Sequence, residues 1–226
     1  MTIKIIMKKT KALILTFIFI ISLAGCGGDE PVTLADTVII YDAAAPEYFY
    51  SLSEMMDGSA AIFKGSFGGF EDEELRGSMV RGYSFEVDEA IKGECDGSAI
   101  TVKTRYALMV DGYTYEDGRK VELSFAAPYP WHFEPEEGAA YLIFVEKVSE
   151  GTWQPSGYPW LIRLGWLSAK LCALSPDGED ISVIAQAQTD RAIYQKAITF
   201  AGAGDGMPSD FLDGMGRRQV LKVLSK

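Results

Sequence analysis

Between residues 83 and 106 apolar and polar side chains take turns. Tyr83, Phe85 and Val87 alternate with Ser84, Glu86 and Asp88, and after a glycine-bounded turn at 93–97, Ile100, Val102, Thr104 and Tyr106 alternate with Thr101, Lys103 and Arg105. A period of two places successive side chains on opposite faces, so the segment predicts an antiparallel hairpin with one face buried. Upstream, Pro46, Phe49, Leu52, Met55 and Gly58 predict a short helix with proline in its first turn and glycine at its end. A short apolar strand at 60–64 and an acidic loop at 71–74 follow it. Downstream, Asp111 with Gly112 and Asp117 with Gly118 predict two tight turns, because glycine accepts positive φ at little cost. Strands are expected at 121–125, 160–166, 170–174 and 181–184, and a proline-rich aromatic loop at 128–137. The nearly unbroken apolar run at 139–145 reads as a central strand.

From Thr189 onward the spacing changes. Ile193, Ala197 and Ala201 lie four apart with Tyr194 and Ile198 beside them, which predicts a helix capped by Thr189. A second helix is expected from Ser209, weakened by Gly214 and Gly216. Short strands at turn-punctuated spacing with helices only at the ends predict a mainly β (α+β) fold, an antiparallel barrel or sandwich with a short N-terminal helix and C-terminal helices.

The first 25 residues stand apart. Lys4, Lys8, Lys9 and Lys11 precede a largely apolar run at 12–24, the layout of a secretory signal. Thirteen helical residues cover about 20 Å, short of the roughly 30 Å of hydrocarbon that a spanning helix must cross. The run closes with Leu23, Ala24, Gly25 and Cys26, which resembles the lipobox of bacterial lipoprotein precursors. The resemblance implies cleavage after Gly25, a diacylglyceryl thioether on Cys26, and an outward-facing position at the cell membrane, at the cell surface or in the periplasm. Two acyl chains suffice for stable anchoring where one does not. The chain then divides into a signal peptide at 1–25, a tether at 26–36, a β-barrel-like domain at 37–186 and a C-terminal helical extension at 187–226. Removing the signal takes away four of the 21 basic side chains and none of the 32 acidic ones, leaving a formal charge of −15. Such a body is repelled by phosphates, so nucleic acid is not an expected partner, and repulsion from an anionic leaflet predicts a domain that stands off the membrane.

The segments at 60–65, 83–93, 100–103 and 137–144, the last running Gly-Ala-Ala-Tyr-Leu-Ile-Phe from Gly138, together resemble small bacterial lipoproteins with an OB-like barrel. That barrel is also similar to the domain of tissue inhibitors of metalloproteinases. There a free N-terminal cysteine grips the protease zinc, a role that an acylated Cys26 could not fill.

Candidate chemistry is sparse. Cys95 and Cys172 are left either as a disulfide or as two free thiols, and a single histidine with no CxxC motif argues against a structural zinc site; no cofactor is expected. His132 is the sole imidazole, and without a Gly-x-Ser-x-Gly elbow it reads as loop packing before catalysis. The carboxylates at 71–74 and at Glu134, Glu136 and Glu137 read as solvated charges, with a paired-carboxylate envelope hydrolase as the alternative. The more suggestive set is aromatic. Tyr129, Trp131 and Phe133 in one loop, with Trp153, Tyr158, Trp160 and Trp166 beyond it, either cap the barrel end as core or, where exposed, offer a candidate surface for an envelope protein or a glycan. A binding or interaction module is therefore the expected role.

Overall fold

The computed structural model describes residues 32–41, 48–75, 77–95, 97–115, 118–172, 181–188, 192–201, 210–212 and 214–225. The segment expected to be a signal peptide, Cys26 and residues 27–31 of the expected tether lie outside them. The elements are β1 (Val32–Tyr41), α1 (Leu52–Gly58), β2 (Ala61–Leu75), β3 (Ser78–Lys92), β4 (Ala99–Thr114), β5 (Lys120–Pro128), β6 (Ala140–Ser149), β7 (Thr152–Pro155), β8 (Leu161–Leu164), β9 (Ala169–Cys172), β10 (Ile181–Gln188), β11 (Ala192–Ala201) and α2 (Arg217–Leu224). The fold is mainly β, and most strand pairs are antiparallel.

The hairpin of β3 and β4 forms as the alternation requires, with Tyr83 opposite Val102 and Phe85 opposite Ile100. β2 pairs with β3 along one edge and with β6 along the other. β7 lies antiparallel to β6 and makes a short parallel contact with β4. The pairings thus run β2, β3, β4, β7, β6 and back to β2. Phe63, Phe67, Tyr83, Phe85, Val102, Tyr141 and Ile143 share one buried cluster with Trp153 and Trp160. β6 also sends Leu142 and Phe144 to a second cluster, where they meet α1, β8, β9 and α2. That two-sided burial is why 139–145 reads as an unbroken apolar run. A smaller sheet, in the order β1, β11, β10, supplies Tyr194 and Ile198 to a third cluster with Phe125, Tyr129 and Trp131.

Four expectations need correction. The acidic run at 71–74 is not a loop but the far half of β2, with Asp72 opposite Arg81 and Glu73 opposite Val80. Exposed strand positions tolerate charge, and here basic neighbours on β3 and β4 answer it. Asp111 and Gly112 do not turn the chain. Gly112, at φ 84°, instead lets a register shift pass within β4. The segment expected to be a helix from Thr189 is β11, so 187–226 is not a helical extension. A spacing of four is a multiple of two, and the burial of Ala192, Tyr194, Lys196 and Ile198 shows that period two governs. Finally, β1 starts at Val32 and pairs in parallel with β11, so residues 32–36 of the expected tether are strand. The late helix is present but starts only at Arg217, after Gly216 as its cap. Cys95 and Cys172 are unbridged.

β2 approaches β3 most closely at Gly65, where an added Cβ would lie 1.8 Å from the Glu86 carbonyl oxygen, whereas at Gly69 nothing lies within 4 Å. Gly65→Ala is therefore expected to lower stability by about 1–3 kcal/mol, as over-packing of a filled core does. Gly69→Ala is expected to change it by less than about 0.5 kcal/mol, the usual scale for surface sites. Urea unfolding of the two variants checks the contrast.

Candidate functional site

The loop after β5 departs beside the middle of β4, where the Tyr129 amide donates to the Tyr106 carbonyl at 2.8 Å. Its rings then divide. Tyr129 and Trp131 turn inward with centroids 5.0 Å apart, and the Trp131 indole N–H donates to the Tyr48 hydroxyl at 2.9 Å. Trp153 packs edge-on against Phe63, and Trp160 against Phe67. Tyr129, Trp131, Trp153 and Trp160 are all buried, with Trp160 only 1% exposed, while Phe133 is half-buried against the first cluster. Four of these five residues are therefore core, the alternative to an exposed stacking surface, and Phe133 is partly so. Trp153 and Trp160 belong to the first buried cluster, Tyr129 and Trp131 to the third. Of the wider aromatic set only Trp166 is exposed.

His132 points the other way and joins a group that sequence spacing does not reveal. The Arg81 guanidinium is held bidentately by Asp72, Nε to Oδ1 at 2.7 Å and Nη2 to Oδ2 at 2.9 Å, and its Nη1 donates to Glu134 at 3.1 Å. It lies 3.8 Å from the Phe70 ring centre and 4.5 Å from that of Tyr106. His132 stacks on Tyr83, with its Nε2 3.4 Å from the Tyr83 hydroxyl, while its Nδ1 is buried without a hydrogen-bond partner. Burial, helped by the charge of Arg81, pushes His132 below its ordinary pKa, so the ring is neutral at pH 7. Burial pushes Tyr83 up to about 12. Hydrogen bonding from Arg81 holds the Asp72 carboxyl below the usual range.

This chemistry bears on the hydrolase alternative. Two carboxylates do converge, on one guanidinium, but a general acid needs a raised pKa and Asp72 moves the opposite way. Among the described residues no cluster of three or more His, Cys, Asp or Glu side chains could hold a metal ion.

Phe70 and Asp72 also wall an open concavity of about 610 Å³ across β2, β3 and β4. Gly69 and Gly82 leave it room, Ser84, Thr101 and Thr152 line it with hydroxyls, and Lys103 meets Glu73 at 2.5 Å on its rim. Phe70 is 48% exposed, although its ring abuts Arg81. Of these groove residues the sequence singled out the carboxylates at 71–74, as solvated charges, and not Phe70 or the hydroxyl-bearing positions. Adjacent glycines at 68 and 69 ahead of an aromatic are the signal that marks it, since glycine within a strand often accompanies a bulge. Register shifts occur there, between Phe67 and Phe70.

His132 makes stability depend on pH. Its folded pKa lies below the unfolded value of 6.5, so below that pH the unfolded chain binds more protons and stability falls on acidification. Asp72 adds a second loss, setting in nearer its ordinary value of 3.8. His132→Gln is expected to abolish the first decline and keep the second, as read from melting temperature against pH.

Comparisons with protein-family models, with curated proteins and with solved structures returned no match for this chain.

Proposed function

We infer that this is a lipid-anchored lipoprotein of the cell envelope whose β domain is an OB-like barrel acting as a binding module. The anchor rests on Leu23, Ala24, Gly25 and Cys26 following a basic and then apolar segment. No described helix is long and apolar enough to cross a membrane, which is compatible with attachment through lipid. The barrel reading is supported by the five-strand circuit of pairings, with its one parallel contact between β4 and β7. OB folds carry ligands, oligosaccharides among them, on the face of their second and third strands, here β3 and β4.

The ligand site of this reading is the concavity over β2, β3 and β4, not the aromatic set first considered. The observation that carries it is a half-exposed Phe70 ring beside hydroxyls and carboxylates in a groove of ligand size. A sugar offers an apolar C–H face to an aromatic ring and hydroxyl protons to carboxylates. A polyphosphate would meet Glu71, Asp72 and Glu73 as like charge. The occupant is therefore a neutral, polyhydroxylated envelope glycan.

Two experiments test the parts separately. Cells fed a clickable fatty acid are expected to label the wild-type protein and not Cys26→Ser, and equal label in both sinks the anchor. Gly69→Trp places an indole in the groove at a position open enough to accept it. It is expected to cut co-sedimentation with purified cell-wall glycan at least tenfold, about 1.4 kcal/mol, without lowering thermal stability. Unchanged sedimentation removes the groove from consideration.

A further inference from the structure

The turn between β8 and β9 presents Trp166 and Leu167, 89% and 72% exposed, next to each other. A single exposed apolar side chain on a soluble surface is ordinary. Here the backbone beneath the pair is fixed. The Gly165 amide donates to the Ser168 carbonyl at 2.9 Å, the Arg217 amide donates to the Leu167 carbonyl at 2.9 Å, and the Arg217 guanidinium donates to the Gly165 carbonyl at 3.3 Å. Ser168 also bridges to Gly216. The start of α2 thus braces a two-residue apolar tip.

The charge around that tip opposes the charge of the chain. Residues 161–172 and 214–225 contain Arg163, Lys170, Arg217, Arg218 and Lys222 and no acid, in a protein of net charge −11. Arg163 and Lys170 face each other two pairs back from the turn, about 7 Å away at strand spacing. Arg217 and Arg218 open α2 beside it. Arg217, bonded to the Leu167 and Gly165 carbonyls, is the member of this set that touches the tip backbone. Among the described residues the acids at the margin of the set are Glu136, which pairs with Arg163 at 2.5 Å, Asp210, and Glu89, which shares a hollow with Lys222 and pairs with Lys64, and in sequence Asp213 precedes the second segment.

We propose that Trp166 and Leu167, collared by Lys170, Arg217, Arg218 and Lys222, form a membrane-contact tip that seats the domain on an anionic leaflet. Tryptophan favours the level of the lipid headgroups, and basic side chains beside it are drawn to anionic lipid. Charge segregation aims the contact, because the acidic ribbon of β2 is repelled by the same surface. The inference rests on the anchor reading only in naming that leaflet as the one holding the acyl chains. It replaces the expectation of a domain held off the membrane.

Tryptophan fluorescence of the full chain, isolated from its membranes and reconstituted into vesicles of brominated phosphatidylcholine with or without phosphatidylglycerol, tests it. Trp131, Trp153 and Trp160 are buried, so lipid quenching reports Trp166. Quenching is expected with phosphatidylglycerol, lost in Trp166→Phe, and reduced several-fold by high salt or by Arg218→Glu with Lys222→Glu. Equal quenching in purely zwitterionic vesicles, or a Trp166 still open to aqueous acrylamide on the anionic ones, overturns the proposal. So does shielding of Trp166 by a co-purified protein in the absence of vesicles. The chain carrying Cys26→Ser, run in parallel, separates the two readings. Trp166-dependent quenching in that form upholds the tip even where mass spectrometry of the native protein shows no acyl group.

Discussion

Phe67 sits where the strands of the pairing circuit look at one another. Its ring meets Tyr83 and Phe85 of β3, Tyr141 of β6 and Trp160 just ahead of β8, at centroid distances of 5.6, 4.8, 5.3 and 6.2 Å, all edge-on. Each such contact contributes about 0.5–1.5 kcal/mol beyond simple burial. One side chain therefore ties β2 to both of its neighbours and to the approach of β8. The register shift immediately after it, at Gly68 and Gly69, bends β2 away from that core. The second half of β2 leaves as an exposed acidic ribbon, and the ribbon is one wall of the groove. The groove exists because the aromatic core ends at Phe67.

Where the core ends, electrostatics take over. Arg81 fills the space beyond Tyr83, its side chain only 14% exposed, with its charge shared between Asp72 and Glu134 and its faces set against Phe70 and Tyr106. A buried cation is tolerated only when paired and hydrogen-bonded, and this one is. The cost of the arrangement falls on His132, which shares the site with a fixed positive charge and stays neutral. The result is a rigid edge to the groove. Basic charge elsewhere is not spread evenly, and its concentration about the β8–β9 turn gives a strongly acidic protein one face of opposite character.

Much of the β framework was legible beforehand, for identifiable reasons. The alternation in β3 and β4, the unbroken apolar run of β6 and the turn residues between strands are local signals whose physical cause is also local. β11 misled because Ile193, Ala197 and Ala201 satisfy both periods at once. What separates the readings is the partner strand β1, about 160 residues earlier in the chain. The aromatic residues misled in another way. Residue type indicates that Trp131, Trp153 and Trp160 carry large apolar area, but whether that area faces water depends on which strands close around it.

By itself the sequence determined the hydrophobic alternation, the basic and then apolar segment that closes on Leu23, Ala24, Gly25 and Cys26, and the excess of negative charge, since each is a property of neighbours along the chain. Only the tertiary structure decided that Arg81, Asp72, Glu134 and His132 share one site, and that Phe70 borders a groove. It also decided that Trp166 stands out among basic side chains. Arg81 alone meets residues 9 and 53 positions away, and such contacts are set by strand pairing and core closure, on which local spacing carries no information.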